Sequence, residues 1–199
     1  MIEWGSASIP LAGELTSGDL AVVCPFRDGA LLALIDGLGH GAEAADVAKL
    51  AANVLAAEPM LPVEVQVARC HQALKRTRGI VLSLASIADA SASLDWLGVG
   101  NVEGVVVRAP TSVGLADETL ATRGGTVGYL LPPLNPRTLP LMTDDLIVFA
   151  SDGIRSEFRA DIATERSPTE IARAILASHS KQTDDACVLV VRFLGKAVT

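Results

Sequence analysis

Four apolar runs of strand length in this sequence begin or end at an aspartate. Runs of this kind, bounded by turn-forming residues, are typical of buried β-strands. The runs are residues 20–24, 30–35, 146–151 and 186–193, and the acids that flank them are Asp19, Asp36, Asp152, Asp184 and Asp185. The chain must therefore fold so that carboxylates stand at the ends of strands that are otherwise buried.

The first two runs are predicted to form a hairpin. Asp28-Gly29 lies between them, and Asp-Gly readily adopts the positive φ that a tight turn needs. Partners across an antiparallel hairpin have residue numbers with a constant sum. A turn near residue 28 sets that sum near 56, and the numbers of Asp19 and Asp36 add to 55. The two carboxylates are therefore expected to be near neighbours at the open end of the hairpin.

The other three acids are expected to share a rim of a sheet. If 146–151 pairs antiparallel with 186–193, the end of one strand lies beside the start of the other, which gathers Asp152, Asp184 and Asp185. Carboxylates held close together raise each other's pKa, and a cation among them removes the repulsion. Oxygen-only ligation suits Mg²⁺ or Mn²⁺ rather than Zn²⁺. Taken singly, each aspartate is more often a turn or capping residue, but the shared placement favours a cation site.

Changes in hydrophobic period predict helices and further strands. Residues 41–57 and 63–76 are predicted helices, and a capping box of Ser167 and Glu170 opens a third helix to about residue 177. Strands are predicted as one antiparallel meander over 80–88, 93–99 and 103–108, with weaker candidates at 113–115, 119–122 and 127–131. The proline-rich stretch 130–140 is excluded from a central strand. We therefore expect an α/β (α+β) fold in a single domain over residues 1–199.

The charge balance argues against two classes of partner. The chain has 23 Asp and Glu against 16 Lys and Arg, a formal net charge of −7, and no cluster of basic residues. Nucleic-acid binding needs clustered cations, so we expect neither nucleic acid nor an anionic membrane as a partner. We also expect no signal peptide and no transmembrane helix. The three separated cysteines fit a reducing compartment, which predicts a cytoplasmic protein.

Short motifs in a fixed order extend over nearly the whole chain. They are Ser17-Gly18-Asp19, Asp36-Gly37-Leu38-Gly39-His40-Gly41, Gly98-Val99-Gly100-Asn101, Ser151-Asp152-Gly153-Ile154 and Thr183-Asp184-Asp185-Ala186. Together they resemble the metal-dependent Ser/Thr phosphatases of the type-2C (PPM) superfamily, in the bacterial SpoIIE/RsbU/RsbX branch. The compact length and the Gly-Leu-Gly-His-Gly variant resemble the stressosome phosphatases of that branch most. The resemblance implies a four-layer α-β-β-α sandwich of two antiparallel sheets flanked by helices.

The resemblance also implies roles for residues of the hairpin. Asp36 would bridge two divalent ions, Mn²⁺ or Mg²⁺, and would be the main catalytic residue. The backbone carbonyl of Gly37 would ligate one ion, directly or through water, and Asp19 would help to hold one ion through its water shell.

Further roles are implied for the second pair of strands and for two loops. Asp152 and Asp184 would ligate the other ion, and Asp185 would lie behind the direct ligands. His40 is a candidate general acid for the leaving serine oxygen, and the alternative is that it only binds backbone in its loop. Asn101 is predicted to be a turn residue. We find no arginine that matches the phosphate-binding arginine of the eukaryotic relatives.

The implied reaction is hydrolysis of phosphoserine or phosphothreonine on STAS-domain proteins of a stressosome, which would reset a stress-response signalling cascade. One alternative is dephosphorylation of an anti-sigma-factor antagonist. Two others are a non-catalytic docking module of the same fold and a hydrolase for small phosphorylated metabolites. A docking module predicts broken metal ligands, and a metabolite hydrolase predicts groups that read a base or a sugar. The sequence displays neither feature.

Overall fold

The computed structural model describes residues 1–112 and 114–195. The strands in these residues are β1 (Ile2–Ile9), β2 (Asp19–Phe26), β3 (Gly29–Gly37), β4 (Ile80–Ala88), β5 (Ser93–Val99), β6 (Glu103–Val107), β7 (Glu118–Leu120), β8 (Arg137–Pro140), β9 (Leu146–Ala150) and β10 (Ala186–Phe193). The helices are α1 (Gly41–Ala57), α2 (Val63–Ala73) and α3 (Pro168–His179), with a 3₁₀ helix over Ser156–Asp161.

Two antiparallel sheets of five strands pack face to face. The first sheet has the order β1-β10-β9-β6-β7, and the second has the order β2-β3-β4-β5-β8. Helix α3 packs on β1 and β10 of the first sheet, whereas α1 packs on β2 and β3 of the second sheet with α2 beside it. The expected four-layer α-β-β-α sandwich is therefore confirmed.

Strand β3 lies in the middle of this architecture and contributes to two cores. Successive residues of a strand point to opposite faces of the sheet. Leu32 and Leu34 belong to the apolar cluster between the sheets, while Leu31, Ala33 and Ile35 belong to the cluster beneath α1 and α2. All five are fully buried. A strand buried on both faces needs an unbroken apolar run, and this is why the hairpin is readable in the sequence.

The helices follow the predicted signals closely. Ala44 and Ala48 are buried on α1, where their small side chains let the helix lie close to the sheet. At the start of α3, Ser167 and Glu170 form the predicted capping box, each side chain accepting from the other's backbone N–H. Helix α1 has the predicted bounds, α2 ends three residues early, and α3 continues two residues further. Within the described residues, no helix has both the length and the apolar character needed to span a bilayer.

The predicted three-strand meander is wrong at its third strand. Strands β4 and β5 pair as expected, but β6 crosses to the first sheet, where it lies between β9 and β7. The chain leaves β5 at Gly100, whose φ of +96° is accessible to glycine at little cost. This crossing carries Asn101 from one sheet towards the other.

Other differences concern weak or short strands. Strand β1 has no predicted counterpart, because its small and polar residues form no apolar run and its only buried residue is Gly5. Strand β8 lies in the proline-rich stretch but at the edge of its sheet, where proline is tolerated. Candidate 119–122 overlaps β7, whereas candidate 127–131 is wrong and forms only isolated bridges and a turn. Candidate 113–115 includes Val113, which lies outside the described residues.

Candidate metal centre at the rim of the two sheets

Asp19 and Asp36 are direct partners across the β2–β3 hairpin, as the sum of their residue numbers predicts. Asp19 is the first residue of β2, and Asp36 is the last but one of β3. The two strands pair without interruption as far as Phe26 and Gly29 at the turn. Because no bulge interrupts this ladder, the position of the turn alone determines that the two acids face each other.

Strands β9 and β10 bring further acids to the same rim. They pair antiparallel, with Val188 opposite Ala150, so the assumed pairing is confirmed. Asp152 follows β9 and Asp184 precedes β10, which places both at one end of the first sheet. Their charges act on the ionisation of the hairpin acids. The rims of the two sheets therefore meet at a group of carboxylates.

Burial makes Asp19 and Asp36 weak acids. The pKa of Asp36 rises to about 8, mainly through burial and in part through repulsion from neighbouring carboxylates, Asp19 foremost. The pKa of Asp19 rises to about 7, mainly through burial; the Ser151 hydroxyl opposes this rise and the charge of Asp185 reinforces it. Asp19 is 7% exposed, and its Oδ2 has no hydrogen-bond partner within the described residues. A buried carboxylate oxygen without a donor is costly, and a cation beside it would relieve that cost.

Asp185 is held by the backbone. Its Oδ1 accepts from the N–H of Leu11 and its Oδ2 accepts from the N–H of Gly18, each at 2.7 Å. The side chain is buried. It therefore ties the loop before β2 to the start of β10 and determines where Asp19 lies. These contacts support a positioning role for Asp185 behind the direct ligands.

Asn101 makes a contact at the site that the sequence analysis missed. Its Nδ2 donates to Oδ2 of Asp152 at 2.8 Å, and Nζ of Lys181 donates to the Asp152 carbonyl oxygen at 2.6 Å. Burial raises the pKa of Asp152, and the charge of Asp184 adds to this rise, while Lys181 and Asn101 lower it. The prediction of a turn residue explains the place of Asn101 after Gly100 but not this bond. The one signal in the sequence was its position inside a family motif.

Two glycines of the Asp-Gly motifs are required by close packing. A Cβ on Gly153 would lie 1.9 Å from the carbonyl oxygen of Asp185, and a Cβ on Gly37 would lie 2.4 Å from the carbonyl oxygen of Ala44. Both distances are far below van der Waals contact. Gly153 thus lets the turn after β9 lie against the segment before β10, and Gly37 lets the end of β3 lie against α1.

His40 lies just before α1 with an exposed ring. Its Nδ1 is 2.7 Å from Oε1 of Glu14, and its side chain makes no capping bond to the helix, so the alternative of a purely backbone-binding histidine is wrong.

Arg78 is a second residue that the sequence analysis did not connect with the site. Its Nη1 donates to the carbonyl oxygen of Leu38 at 3.0 Å, and it pairs with Glu43. Arg78 therefore holds the glycine-rich loop that carries His40.

These residues surround a cleft of about 470 Å³, called the metal cleft below. Asp36, His40, Asn101, Asp152 and Asp184 line it. No three Asp, Glu, His or Cys side chains in the described ranges already converge as a finished coordination sphere. The carboxylate oxygens of this rim nevertheless fit hard divalent cations, and one of them, Oδ2 of Asp19, is buried without a hydrogen-bond partner in the described residues.

Comparison with known families gives one match over most of the chain. The family of Stage II sporulation protein E (SpoIIE) matches residues 27–194. The matched range contains Asp36, Asp152, Asp184 and Asp185, whereas Asp19 precedes it. No curated protein sequence matches the chain significantly.

Several solved structures share the fold. One, from work on the bacterial stressosome as a modular system adapted to control secondary-messenger signalling, is 27% identical, with a TM-score of 0.89 over 96% of this chain and 100% of its own. RsbX in complex with magnesium is 19% identical, with a TM-score of 0.84 over 96% and 94%. The PP2C phosphatase domain of SpoIIE from Bacillus subtilis, solved with a fragment of its regulatory domain, is 23% identical, with a TM-score of 0.76 over 96% and 63%.

Proposed function

The chain belongs to the SpoIIE family of PP2C-type phosphatases, and we propose that it hydrolyses phosphoserine or phosphothreonine on a protein with two divalent cations. The observation that carries this proposal is the meeting of Asp19 and Asp36 with Asp152 and Asp184 at one rim. A phosphorylated side chain carries nearly two negative charges at neutral pH. An acidic cleft would repel it unless cations lie between, and carboxylates of this kind are ligands for such cations.

We assign a ligand role to each acid that lines or underlies the metal cleft. Asp36 would hold both ions, Mn²⁺ or Mg²⁺, the Gly37 carbonyl would hold one of them, and Asp19 would hold that ion's water shell. Asp152 and Asp184 would hold the second ion. When bound, the two cations make a water molecule nucleophilic at neutral pH and offset the charge on the phosphoryl oxygens.

Other residues of the chain keep these acids in place. Asp185 fixes the loop that carries Asp19, and Asn101 orients the carboxylate of Asp152. We assign proton transfer to His40. Because Nδ1–H of His40 faces the Glu14 carboxylate, only the imidazolium form also carries a proton on Nε2, and that form would donate the Nε2 proton to the leaving serine or threonine oxygen.

We propose phosphorylated STAS-domain proteins of a stressosome as the substrates, so that the enzyme resets a stress-response signalling cascade. Support comes from the stressosome-related structure, which aligns with 96% of this chain over its own full length. The fold shared with RsbX is consistent with it. We further propose that the protein acts in the reducing cytosol, since Cys24, Cys70 and Cys187 are free thiols.

The proposal is tested by measuring phosphate release from a generic phosphomonoester, from phosphorylated STAS-domain proteins and from a phosphorylated anti-sigma-factor antagonist. Each assay is run with Mn²⁺, with Mg²⁺ and with chelator. Asp36→Asn is the test variant. Asp28→Asn is the matched control, because Asp28 is an exposed acid at the opposite end of the same hairpin.

We expect metal-dependent turnover by the wild type and by Asp28→Asn, and a loss of at least about 100-fold in Asp36→Asn, since even a group that only orients a metal ligand contributes up to that amount. A clear preference for the STAS-domain proteins supports the stressosome assignment, and a preference for the antagonist replaces it. If folded protein turns over no substrate at millimolar Mn²⁺, the enzyme proposal fails and the docking module takes its place.

A further inference from the structure

A second cleft, which we call the arginine cleft, adjoins the metal cleft. It has a volume of about 380 Å³, and its walls are the end of β5, residues 121–123 and the proline-rich residues 132–137. Arg123 and Arg137 line it at exposed positions. None of the residues described above for the metal centre belongs to this lining.

The arginine cleft is positive on a chain that is negative overall. Its lining contains two arginines and no acidic residue, while the net charge of the chain is −7. The arginine ion pairs found in the described residues all involve other arginines, so neither Arg123 nor Arg137 has a carboxylate within 4.0 Å there. Two arginines that line one cleft without a carboxylate partner favour an anionic ligand.

The wall of the arginine cleft is apolar and stiff. Pro132, Pro133 and Pro136 restrict the backbone on one side. Trp96 forms part of the other side and is 2% exposed, and its Nε1–H has no hydrogen-bond partner within the described residues. The lining therefore offers donors and apolar surface together, which suits the stem and the carboxylate of an acidic side chain.

The two clefts are continuous along two segments of backbone. Residues 98–99 and 122–123 line the arginine cleft, and the residues that follow them, 100–101 and 124–125, line the metal cleft. The segments are tied together, since the N–H of Arg123 donates to the Gly98 carbonyl at 3.1 Å and the N–H of Gly100 donates to the Arg123 carbonyl at 2.8 Å. Two steps along either segment span only about 7 Å, because an extended chain advances about 3.3 Å per residue.

We propose that the arginine cleft binds an acidic side chain of the phosphoprotein substrate, about two to four residues away from the phosphorylated one, as the spacing of an extended peptide requires. This inference rests on the proposed function, because it takes the metal cleft as the place of the phosphate. Arg123 and Arg137 bind the carboxylate, and the prolines and Trp96 contact its apolar stem. The cleft thus selects phosphorylation sites that lie in acidic surroundings.

The test compares pairs of phosphoserine peptides. One member carries glutamate at one position, two to four residues before or after the phosphoserine, and its twin carries glutamine there. We expect kcat/KM of the wild type to favour the best glutamate peptide about fivefold, as a partly exposed pair of charge-assisted bonds allows. In Arg123→Gln/Arg137→Gln that preference falls to about one. Arg173→Gln, an exposed arginine on α3 outside both clefts, is the matched control and keeps the wild-type preference.

Binding is also measured without turnover. The chain has two tryptophans, so Trp4→Phe leaves Trp96 as the only one, in the wall of the arginine cleft. Peptides with serine in place of phosphoserine are not hydrolysed, and among these the glutamate peptide should change the fluorescence of Trp96 at a lower concentration than its glutamine twin does. Adding Arg123→Gln/Arg137→Gln should remove this difference.

The outcomes separate this inference from the proposed function. Turnover with equal kcat/KM for every pair of twins overturns the arginine cleft and leaves the phosphatase proposal standing. No turnover of any peptide removes the phosphatase proposal, and the fluorescence difference then decides alone whether the cleft binds an acidic segment. If no peptide is turned over and the two twins also give equal fluorescence titrations, the proposed binding of an acidic side chain in the arginine cleft is overturned.

Discussion

Asp19 and Asp36 face each other at the same position of the β2–β3 ladder, although both side chains are carboxyl groups. Like charges directly opposite each other destabilise a sheet. Burial is the main reason why their pKa values rise to about 7 and about 8, and neighbouring carboxylates add to it. Ionisation of these two acids therefore lowers the stability of the metal-free protein, and a cation bound between them would offset that loss.

Removal of one of these charges should stabilise the metal-free protein. We expect Asp36→Asn to raise the free energy of unfolding by about 2 kcal/mol at pH 8, because the amide keeps the shape of the partly buried side chain without the charge that its surroundings disfavour. The measurement is urea unfolding in chelator. Asp28→Asn, in the exposed turn of the same hairpin, should change it by less than about 0.5 kcal/mol. A less stable Asp36→Asn would mean that the acid supports the fold instead of straining it.

The stability of the metal-free protein should fall as pH rises. In the unfolded chain both acids titrate near 3.8, and in the folded protein they titrate near 7 and near 8. Between these values the folded protein keeps protons that the unfolded chain has released, so a rise in pH favours unfolding. The stability that the folded protein has while both acids are protonated is fully present below about pH 4. It is lost as the pH rises through about 7 and 8. Urea unfolding in chelator at several pH values measures this slope, and the double variant Asp19→Asn/Asp36→Asn should flatten it.

Metal affinity should depend on pH in the opposite direction. The ligands must lose their protons before a cation binds, and Asp36 still holds one at neutral pH because burial raises its pKa to about 8. We expect the Kd for Mn²⁺ to fall by up to about tenfold per pH unit between pH 6 and 8, if one proton is displaced. Isothermal titration calorimetry in buffers of different ionisation enthalpy would count the released protons. A Kd that stays constant over this range would contradict the assignment of Asp36.

Substitutions of the adjacent residues Asp184 and Asp185 should affect different properties: metal binding at Asp184 and folding stability at Asp185. Asp185→Asn replaces an acceptor for two backbone N–H groups, the buried one of Gly18 and the partly buried one of Leu11, and should lower the free energy of unfolding in chelator by about 2 kcal/mol. Asp184 is exposed, so Asp184→Asn should leave that free energy nearly unchanged while weakening Mn²⁺ binding. Urea unfolding and calorimetry on both variants check this. Equal destabilisation by the two substitutions would contradict the different roles.

Gly153→Ala should destabilise the protein through a steric clash alone. The new methyl group would lie 1.9 Å from the Asp185 carbonyl oxygen, so the backbone of one segment must move. We expect a loss of about 3 kcal/mol or more in the free energy of unfolding, at the upper end of overpacking effects. Gly124→Ala is the matched control, because no atom lies within 4 Å of a Cβ there. If both variants unfold alike, the close approach at Gly153 is not what requires glycine.

Features that depend on neighbours along the chain could be predicted from the amino-acid sequence. The opposition of Asp19 and Asp36 follows from an apolar run, a turn dipeptide and a constant sum of residue numbers. The capping box of Ser167 and Glu170 is equally local. In each case a few residues carry the whole signal, because register and capping are decided within one hairpin or one helical turn.

Contacts that join distant segments could not be predicted and became visible only in the folded protein. Asn101 reaches Asp152 from 51 residues away, and Asp185 holds Gly18 from 167 residues away. The move of β6 into the first sheet, which brings Asn101 to the rim, depends on how two sheets pack and left no trace in the hydrophobic pattern. Hydrophobic periodicity indicates which face of a helix or strand is buried, but not which element packs against that face. A site formed between two sheets cannot be predicted without knowing the packing partner as well.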